Sequence, residues 1–276
     1  MQKIWVCGAR GQIGQAVNDV VDKLEFEMLD TDVDDLDVTD TDEVLRFGEM
    51  NRPDIIINCS GMTDISSCEE NPSQAFKVNA LGARNLAIVA AKMQAKMVQL
   101  STDDVFDGKS TEPYTEFDIT NPGTVYGKSK LAGENYVKEF TTKHFIVRST
   151  WVYGKGQNFI NGFLKKVDAG EQLSIASDQF GSPTSANELA RFLLHLVHTS
   201  EYGTYHATNK GVCSRYAFAQ EILKMTGKTA SMQPVPTVMS DFSKVRPAYA
   251  VLDNFIMSMV PIYDFPDWQD SLREYL

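Results

Sequence analysis

The sequence predicts an α/β protein: a Rossmann-like, doubly wound parallel sheet followed by a smaller C-terminal α+β substrate lobe. Three observations carry this reading. The apolar segment Lys3–Cys7 runs directly into Gly8-Ala-Arg-Gly11-Gln-Ile-Gly14. Strand-like and helix-like segments then alternate through about residue 150, the rhythm that builds a parallel sheet. Beyond Trp151 the alternation loosens and prolines punctuate the chain. The expected division is 1–150 for a dinucleotide-binding lobe and 151–276 for a mainly substrate-binding lobe, with substrate in the cleft between.

Taken in order, the first element is the strand Lys3–Cys7, and Ala16–Val21 continues as a helix after the glycines. Glycine permits the tight turn, brings backbone close to a pyrophosphate and lets helix pack on strand. The helix N-terminus offers unpaired N–H groups and a partial positive charge to phosphate. Gly8, Arg10, Gly11, Gln12, Ile13 and Gly14 are therefore candidate cofactor contacts. Phe26–Asp30 is the second strand, and its terminal carboxylate can accept hydrogen bonds from ribose hydroxyls while repelling a 2′-phosphate. Arg10 pulls the other way, through a guanidinium that can pair with that phosphate or stand as a solvated loop charge. NADH and NADPH both stay open. Asp54–Ser60 is a continuous apolar run, as in a parallel strand buried on both faces. Pro72–Met93 reads as one long helix, Lys96–Thr102 as a strand, Tyr126–Phe140 as a helix and His144–Thr150 as a strand. Further on, helices are expected near Asn158–Asp168, Asn187–Val197 and Arg215–Met225, short strands near Leu173–Ala176 and Tyr202–Ala207, and a final helix at Trp268–Leu276.

The chemistry is concentrated at two places. Tyr126 and Lys130 are four residues apart and share one helix face. A tyrosine titrates near ~10, too high for easy proton exchange at neutral pH. A neighbouring ammonium and the positive charge of a nicotinamide favour the phenolate. The strand ending at Ser101-Thr102 stops where open α/β sheets bind ligands. A hydroxyl there can hold a substrate oxygen and share its proton with Tyr126. The plainer reading of Thr102 is a turn hydroxyl. Trp151 is either core or an aromatic facing a saccharide.

Composition excludes several classes. The net charge is −11 with no basic stripe, which argues against nucleic acid. No apolar run reaches the ~18 residues of a membrane span, and the chain opens on strand-like residues without a charged-then-apolar leader. Cys7, Cys59, Cys68 and Cys213 are scattered and read as free thiols of a reducing cytoplasm. The acidic run Asp30–Asp37 has Asp35 where a calcium loop needs glycine and Thr41 where it needs a closing glutamate. His195 and His198 are three apart without a third ligand. No metal is expected.

As a set, Gly8–Gly14, Leu36–Asp40, Val78–Ala87, Ser101–Asp103 with Val105–Gly108, Tyr126–Glu134, Arg148–Gly154, Asp178–Thr184 and Arg246-Pro247 resemble the dTDP-4-dehydrorhamnose reductase family. This is an extended branch of the short-chain dehydrogenases/reductases that acts on nucleotide sugars, and the resemblance covers nearly the whole chain. It implies that Thr102, Tyr126 and Lys130 form the catalytic triad. It implies that Asp37 and Val38 meet the adenine side, that Gly61, Met62, Thr63 and Leu100 line the cofactor, and that Thr102, Asp103 and Trp151 touch the sugar. The implied reaction is NAD(P)H-dependent reduction of a 4-keto nucleotide-linked deoxysugar, dTDP-4-dehydrorhamnose to dTDP-rhamnose. The implied partner is a nucleotide sugar, and a homodimer is compatible with the resemblance. Four departures stand out: Asp104 for a usual tyrosine, Gly61–Glu69 for a usual Ala-Tyr-Thr-x-Val-Asp-x-Ala-Glu, Thr124 for Asn, and Ala250 for Ser. Cofactor and proton-transfer positions are kept while sugar-side positions drift. Two alternatives therefore remain: an epimerase or reductase of another sugar, and a non-catalytic dinucleotide-binding subunit resembling partners of methionine adenosyltransferase.

Overall fold

β1 (Gln2–Cys7), β2 (Phe26–Thr31), β3 (Ile55–Asn58), β4 (Lys96–Thr102) and β5 (His144–Ser149) form one sheet, joined at the β5 edge by Gly203–His206. The computed structural model describes residues 1–239 and 247–276, so Arg246 of the sequence motif lies outside the described residues. The strand order is Gly203–His206, β5, β4, β3, β1, β2, and every pairing is parallel. From β1 the chain steps outward to β2 and then crosses back to β3 on the other side. That reversal opens a crevice at the carboxyl ends of β1 and β3.

Side-chain alternation explains why both faces are covered. Ile4 and Val6 of β1 and Ile55 and Ile57 of β3 pack beneath α1 (Gln12–Val20) and the helix Ala186–Val197. Trp5, Cys7 and Ile56 face the opposite way, into α2 (Thr41–Asn51) and the helix Ala83–Met93. The single helix expected over residues 72–93 is three pieces: Pro72–Phe76, a π-helical segment Lys77–Gly82, and Ala83–Met93. The π segment swings the buried side chain of Asn79 toward the site, and such bulges gather at functional positions.

After residue 150 the chain builds three small sheets. Val152–Tyr153 pairs with Thr184–Ser185, Leu173–Ala176 with Met232–Val235, and Phe180–Gly181 lies between Cys213–Ser214 and Tyr249–Ala250. A separate core of Tyr153, Ile160, Phe163, Phe218, Trp268 and Leu272 holds these small sheets and their helices together. Two elements of the same segment, Ala186–Val197 and Gly203–His206, return to the large layer. No described helix is long and apolar enough to cross a membrane.

Candidate active site

The glycine turn forms a cradle that admits no side chain at Gly8 or Gly14. Gly8 ends β1 at φ +75°, and a Cβ there would come within 2.7 Å of the Ser60 backbone nitrogen. A Cβ on Gly14 would sit 2.4 Å from the Gly8 carbonyl oxygen, so Gly14 packs helix on turn. Gly11 caps α1 without a side-chain acceptor, which leaves first-turn N–H groups available to a phosphate. Two contiguous cavities of about 800 and about 240 Å³ meet at Gly11, Cys59, Ser60 and Gly61. The smaller is walled by Gly8, Asp32, Leu36, Asp37, Val38 and Gln74. The larger takes in Arg10, Gln12, Ile13, Thr63, Leu100, Thr102, Asp103, Tyr126, Lys130 and Trp151. Gly14 and Met62 line neither cavity. Met62 packs with Ile65 and Tyr126 instead.

Asp30 stands apart from the residues that line the cavities. β2 runs through Thr31, whose hydroxyl accepts the Trp5 indole N–H at 2.8 Å. Asp30 therefore stays inside the ladder opposite Val6, exposed on the edge strand and lining neither cavity. Asp32 stands past the strand end in its place. Its carboxylate accepts the Arg10 backbone N–H at 2.8 Å, and it lines the smaller cavity. The Arg10 guanidinium reaches Asp34 and Asp35, each at 2.7 Å, so the acidic run is turned toward an arginine. Donating to Asp35 and Asp34 raises the guanidinium pKa, and accepting from Arg10 lowers that of Asp35. His198 lies 3.8 Å from Glu25, and His195 packs beside Tyr263 at 6.2 Å.

The helix Val125–Phe140 begins at Thr124, whose hydroxyl accepts the Gly127 N–H at 2.9 Å, so threonine serves as a full N-cap. Its first turns carry Tyr126 and Lys130 inward, 8% and 4% exposed. β4 delivers Thr102 beside them. The Thr102 hydroxyl donates to Asp103 Oδ1 at 3.0 Å and accepts the Asp104 N–H at 3.2 Å. Gly127 lets the helix settle on this turn, since a Cβ there would lie 2.0 Å from the Asp104 carbonyl oxygen. Burial lowers the Lys130 pKa to about 8, against the opposing pull of Glu134 and Cys59.

Several residues unassigned from sequence hold this corner. Asn79 Oδ1 accepts the Met62 N–H at 2.8 Å, and its Nδ2 donates to Met62 O at 2.9 Å and Ser129 Oγ at 2.8 Å. Ser129 in turn donates to Tyr126 O at 2.8 Å, so the Met62 loop is tied to the helix that carries Tyr126 and Lys130. Glu134, fully buried, takes both Nε (2.9 Å) and Nη2 (2.7 Å) of Arg148 and the Ser101 hydroxyl. The available signals were an asparagine inside an apolar helix, and a glutamate one turn past Lys130. Across the cleft, Trp151 adopts φ +46°, and the Arg215 guanidinium lies 3.5 Å from its ring centroid.

The whole chain, residues 1–276, matches the family model described as RmlD substrate binding domain. The spore coat polysaccharide biosynthesis protein SpsK of Bacillus subtilis is 35% identical, over 100% of this chain and 97% of its own. The dTDP-4-dehydrorhamnose reductase of Aggregatibacter actinomycetemcomitans is 32% identical, over 99% of this chain and 98% of its own. Among solved structures, a dTDP-4-dehydrorhamnose reductase of Clostridium acetobutylicum superposes with a TM-score of 0.97 at 41% identity, covering 99% of this chain and 98% of that one. The Bacillus anthracis dTDP-4-dehydrorhamnose reductase, solved in complex with NADP, gives 0.96 at 35% identity, covering 100% and 99%.

Proposed function

This chain belongs to the RmlD substrate binding domain family, and we propose that it reduces the 4-keto group of a nucleotide-linked deoxysugar, specifically dTDP-4-dehydrorhamnose to dTDP-rhamnose. It is an NAD(P)-dependent oxidoreductase. The observation that supports the proposal is that Thr102, Tyr126 and Lys130 line the same cavity as Gly11, Gln12 and Ile13 of the glycine turn. The cradle fits a dinucleotide: a Cβ at Gly8 or Gly14 would collide with backbone, and α1 presents its N-terminus there. When bound, the reduced nicotinamide supplies the hydride. Gly8, Gly11, Gln12 and Ile13 would hold the pyrophosphate, and Asp32, Asp37 and Val38 the adenosine end. Tyr126 donates the proton to the oxygen formed at the keto carbon. Lys130 favours the phenolate that remains. Thr102, held by the turn at Asp103 and Asp104, fixes that oxygen. All four cysteines are free thiols, which supports placing the reaction in a reducing cytoplasm.

One observation favours a second substrate of the same class. Asp104, where the family usually has a tyrosine, is buried beside Thr102. A carboxylate there changes the hydrogen bonds offered near the sugar, so another 4-keto sugar is the second reading. Incubation with NADPH or NADH and a panel of 4-keto nucleotide sugars, followed by the loss of reduced-nicotinamide absorbance, tests both. Turnover on dTDP-4-dehydrorhamnose with dTDP-rhamnose as product is expected. Cofactor binding without turnover on any member would defeat both readings and leave a regulatory dinucleotide-binding subunit.

A further inference from the structure

We propose that Gln99 and Asn58 are positioning residues that fix the hydroxyl proton of Ser60, so that Ser60 meets the dinucleotide as a hydrogen-bond acceptor and takes a ribose hydroxyl rather than a phosphate. This rests on the dinucleotide reading above and adds the polarity of the wall beside the glycine turn. Ser60 and Gly11 line both cavities, so a dinucleotide that fills both must pass them. A Cβ at Gly8 would lie 2.7 Å from the Ser60 nitrogen, so the Ser60 backbone is pressed against the end of β1 and has little room to shift.

The polarity follows from four hydrogen bonds. Asn58 and Gln99 stand opposite each other in the β3–β4 register, 2% and 1% exposed, beyond the apolar residues Ile55–Ile57 and Met97-Val98. Gln99 Nε2 donates to Leu100 O at 2.9 Å, and a main-chain carbonyl can only accept, so the Gln99 amide has one orientation. Its Oε1 therefore faces Asn58 and accepts from Nδ2 at 2.8 Å. That turns Asn58 Oδ1 toward Ser60, where it accepts the backbone N–H at 3.1 Å, a group that can only donate. The relay is thus pinned at both ends by main-chain groups. The Ser60 hydroxyl lies 2.5 Å from the same Oδ1 and must donate to it. A serine has one O–H and two lone pairs, so with that proton committed it offers only lone pairs to the cleft.

An acceptor discriminates between the parts of a dinucleotide. The pyrophosphate oxygens only accept, so a phosphate beside Ser60 Oγ would set lone pair against lone pair. The ribose hydroxyls can donate. Donors for the pyrophosphate come instead from the first turn of α1, which Gly11 leaves without a side-chain acceptor. Holding the strands together does not call for the two amides. The β3–β4 ladder is made by the main chain, and apolar side chains would fill the same space without the desolvation that a buried amide carries. What the amides supply, and a leucine would not, is direction. Each of their side-chain nitrogens and oxygens is engaged, and the bonds run in one sense from Ser60 through Asn58 and Gln99 to Leu100.

NADPH, ADP-ribose, ADP and inorganic pyrophosphate, titrated into the protein by calorimetry, test the assignment. Ser60→Ala should weaken NADPH by about three- to tenfold, the size of one neutral hydrogen bond, and leave inorganic pyrophosphate within about twofold. Weakening shared by ADP puts the hydroxyl on the adenosine ribose, and weakening confined to NADPH and ADP-ribose puts it on the other ribose; either upholds the proposal. Asn58→Leu combined with Gln99→Met removes both amides at once, so neither is left buried without its partner. That pair should weaken NADPH as Ser60→Ala does, and adding Ser60→Ala to it should cost less than about twofold more, because the serine has lost what fixed its proton. Thermal melting reports folding, and Asn58→Ala, which opens room for water beside Gln99, serves the same cycle where the pair does not fold. Unchanged NADPH affinity in Ser60→Ala, equal weakening of inorganic pyrophosphate, or additive losses in the cycle would overturn the proposal. Wild-type protein that binds neither NADPH nor NADH would overturn the dinucleotide reading itself, and the proposal with it.

Discussion

Replacing Lys130 with methionine should make the protein more stable and far less active. The side chain is 4% exposed, and burial takes its pKa from 10.5 to about 8. At about 1.4 kcal/mol per tenfold change in proton affinity, holding the ammonium there costs roughly 3 kcal/mol. Methionine has a similar reach and no charge. That cost is already net of the attraction to Glu134, so a gain of roughly 1–3 kcal/mol is expected at pH 7. In a chain of this length that raises the melting temperature by about 2–4 °C per kcal/mol. The pH dependence gives the sign. Below about 8 the lysine is protonated in both folded and unfolded chains, and its full cost is present. Between about 8 and 10.5 the folded state sheds the proton while the unfolded chain keeps it, so wild-type stability gains relative to the variant. Above 10.5 the contribution of the charge disappears. Urea unfolding of both ligand-free proteins at pH 7 and pH 10.5 reads this directly. Turnover of the variant should fall by ~10², and wild-type reduction should decline as pH rises through about 8 with loss of the ammonium. A methionine variant less stable than wild type at pH 7, or a difference constant with pH, would refute the reasoning.

Tyr126→Phe removes one hydroxyl from a buried ring and should lower turnover by ~10² or more while leaving NADPH affinity intact, as steady-state kinetics and fluorescence titration would show. An active phenylalanine variant would remove Tyr126 from the mechanism. Both cofactors should be used, with kcat/KM differing by less than about a hundredfold, because the opposing charges are exposed. Arg10→Ala should shift that ratio toward NADH and Asp32→Ala toward NADPH, while Asp30→Ala should leave it alone. Glu134→Gln leaves buried Arg148 without its counter-charge and should cost roughly 3–5 kcal/mol in urea unfolding; a loss below about 1 kcal/mol would contradict the assigned pairing. Chelator treatment should not change the rate, since the proposed proton transfer runs through a tyrosine and needs no metal. Loss of activity restored by magnesium would show otherwise.

What was legible in the sequence was local. Tyr126 and Lys130 announce themselves because a helix brings residues four apart onto one face. Each main strand carries its own apolar run, so the segments of the sheet could be read without knowing their partners. Asp30 lies outside both cavities because the end of β2 is set by pairing with β1, including the Trp5–Thr31 bond across 26 residues. The π segment was invisible because it serves bonds from Asn79 to Met62 and Ser129, 17 and 50 residues away. Arg215 and Trp151 lie far apart in the chain, and no periodicity relates them. Gly203–His206 could be expected as a strand, but not that it would pair with β5 of the large sheet.

The features least favourable to folding gather around the cleft. Lys130 is an ammonium kept from water, Glu134 and Arg148 are a buried pair, Trp151 sits in the left-handed region, and residues 77–82 abandon the α-helix. Each is locally costly, and each orients a group that faces the cleft or ties one that does. Glu134 joins the helix of Tyr126 and Lys130 to Ser101, the residue before Thr102, so one buried carboxylate links the two elements that carry the proposed catalytic side chains. Asn79 does the same between the Met62 loop and that helix. Rigid placement of three side chains from two elements needs such cross-links, because hydrophobic packing alone sets distances less finely than directional bonds do. The cofactor cradle needs no comparable expense. Its geometry follows from the backbone of three glycines and one helix end, which is why it can be read from seven consecutive residues, Gly8–Gly14.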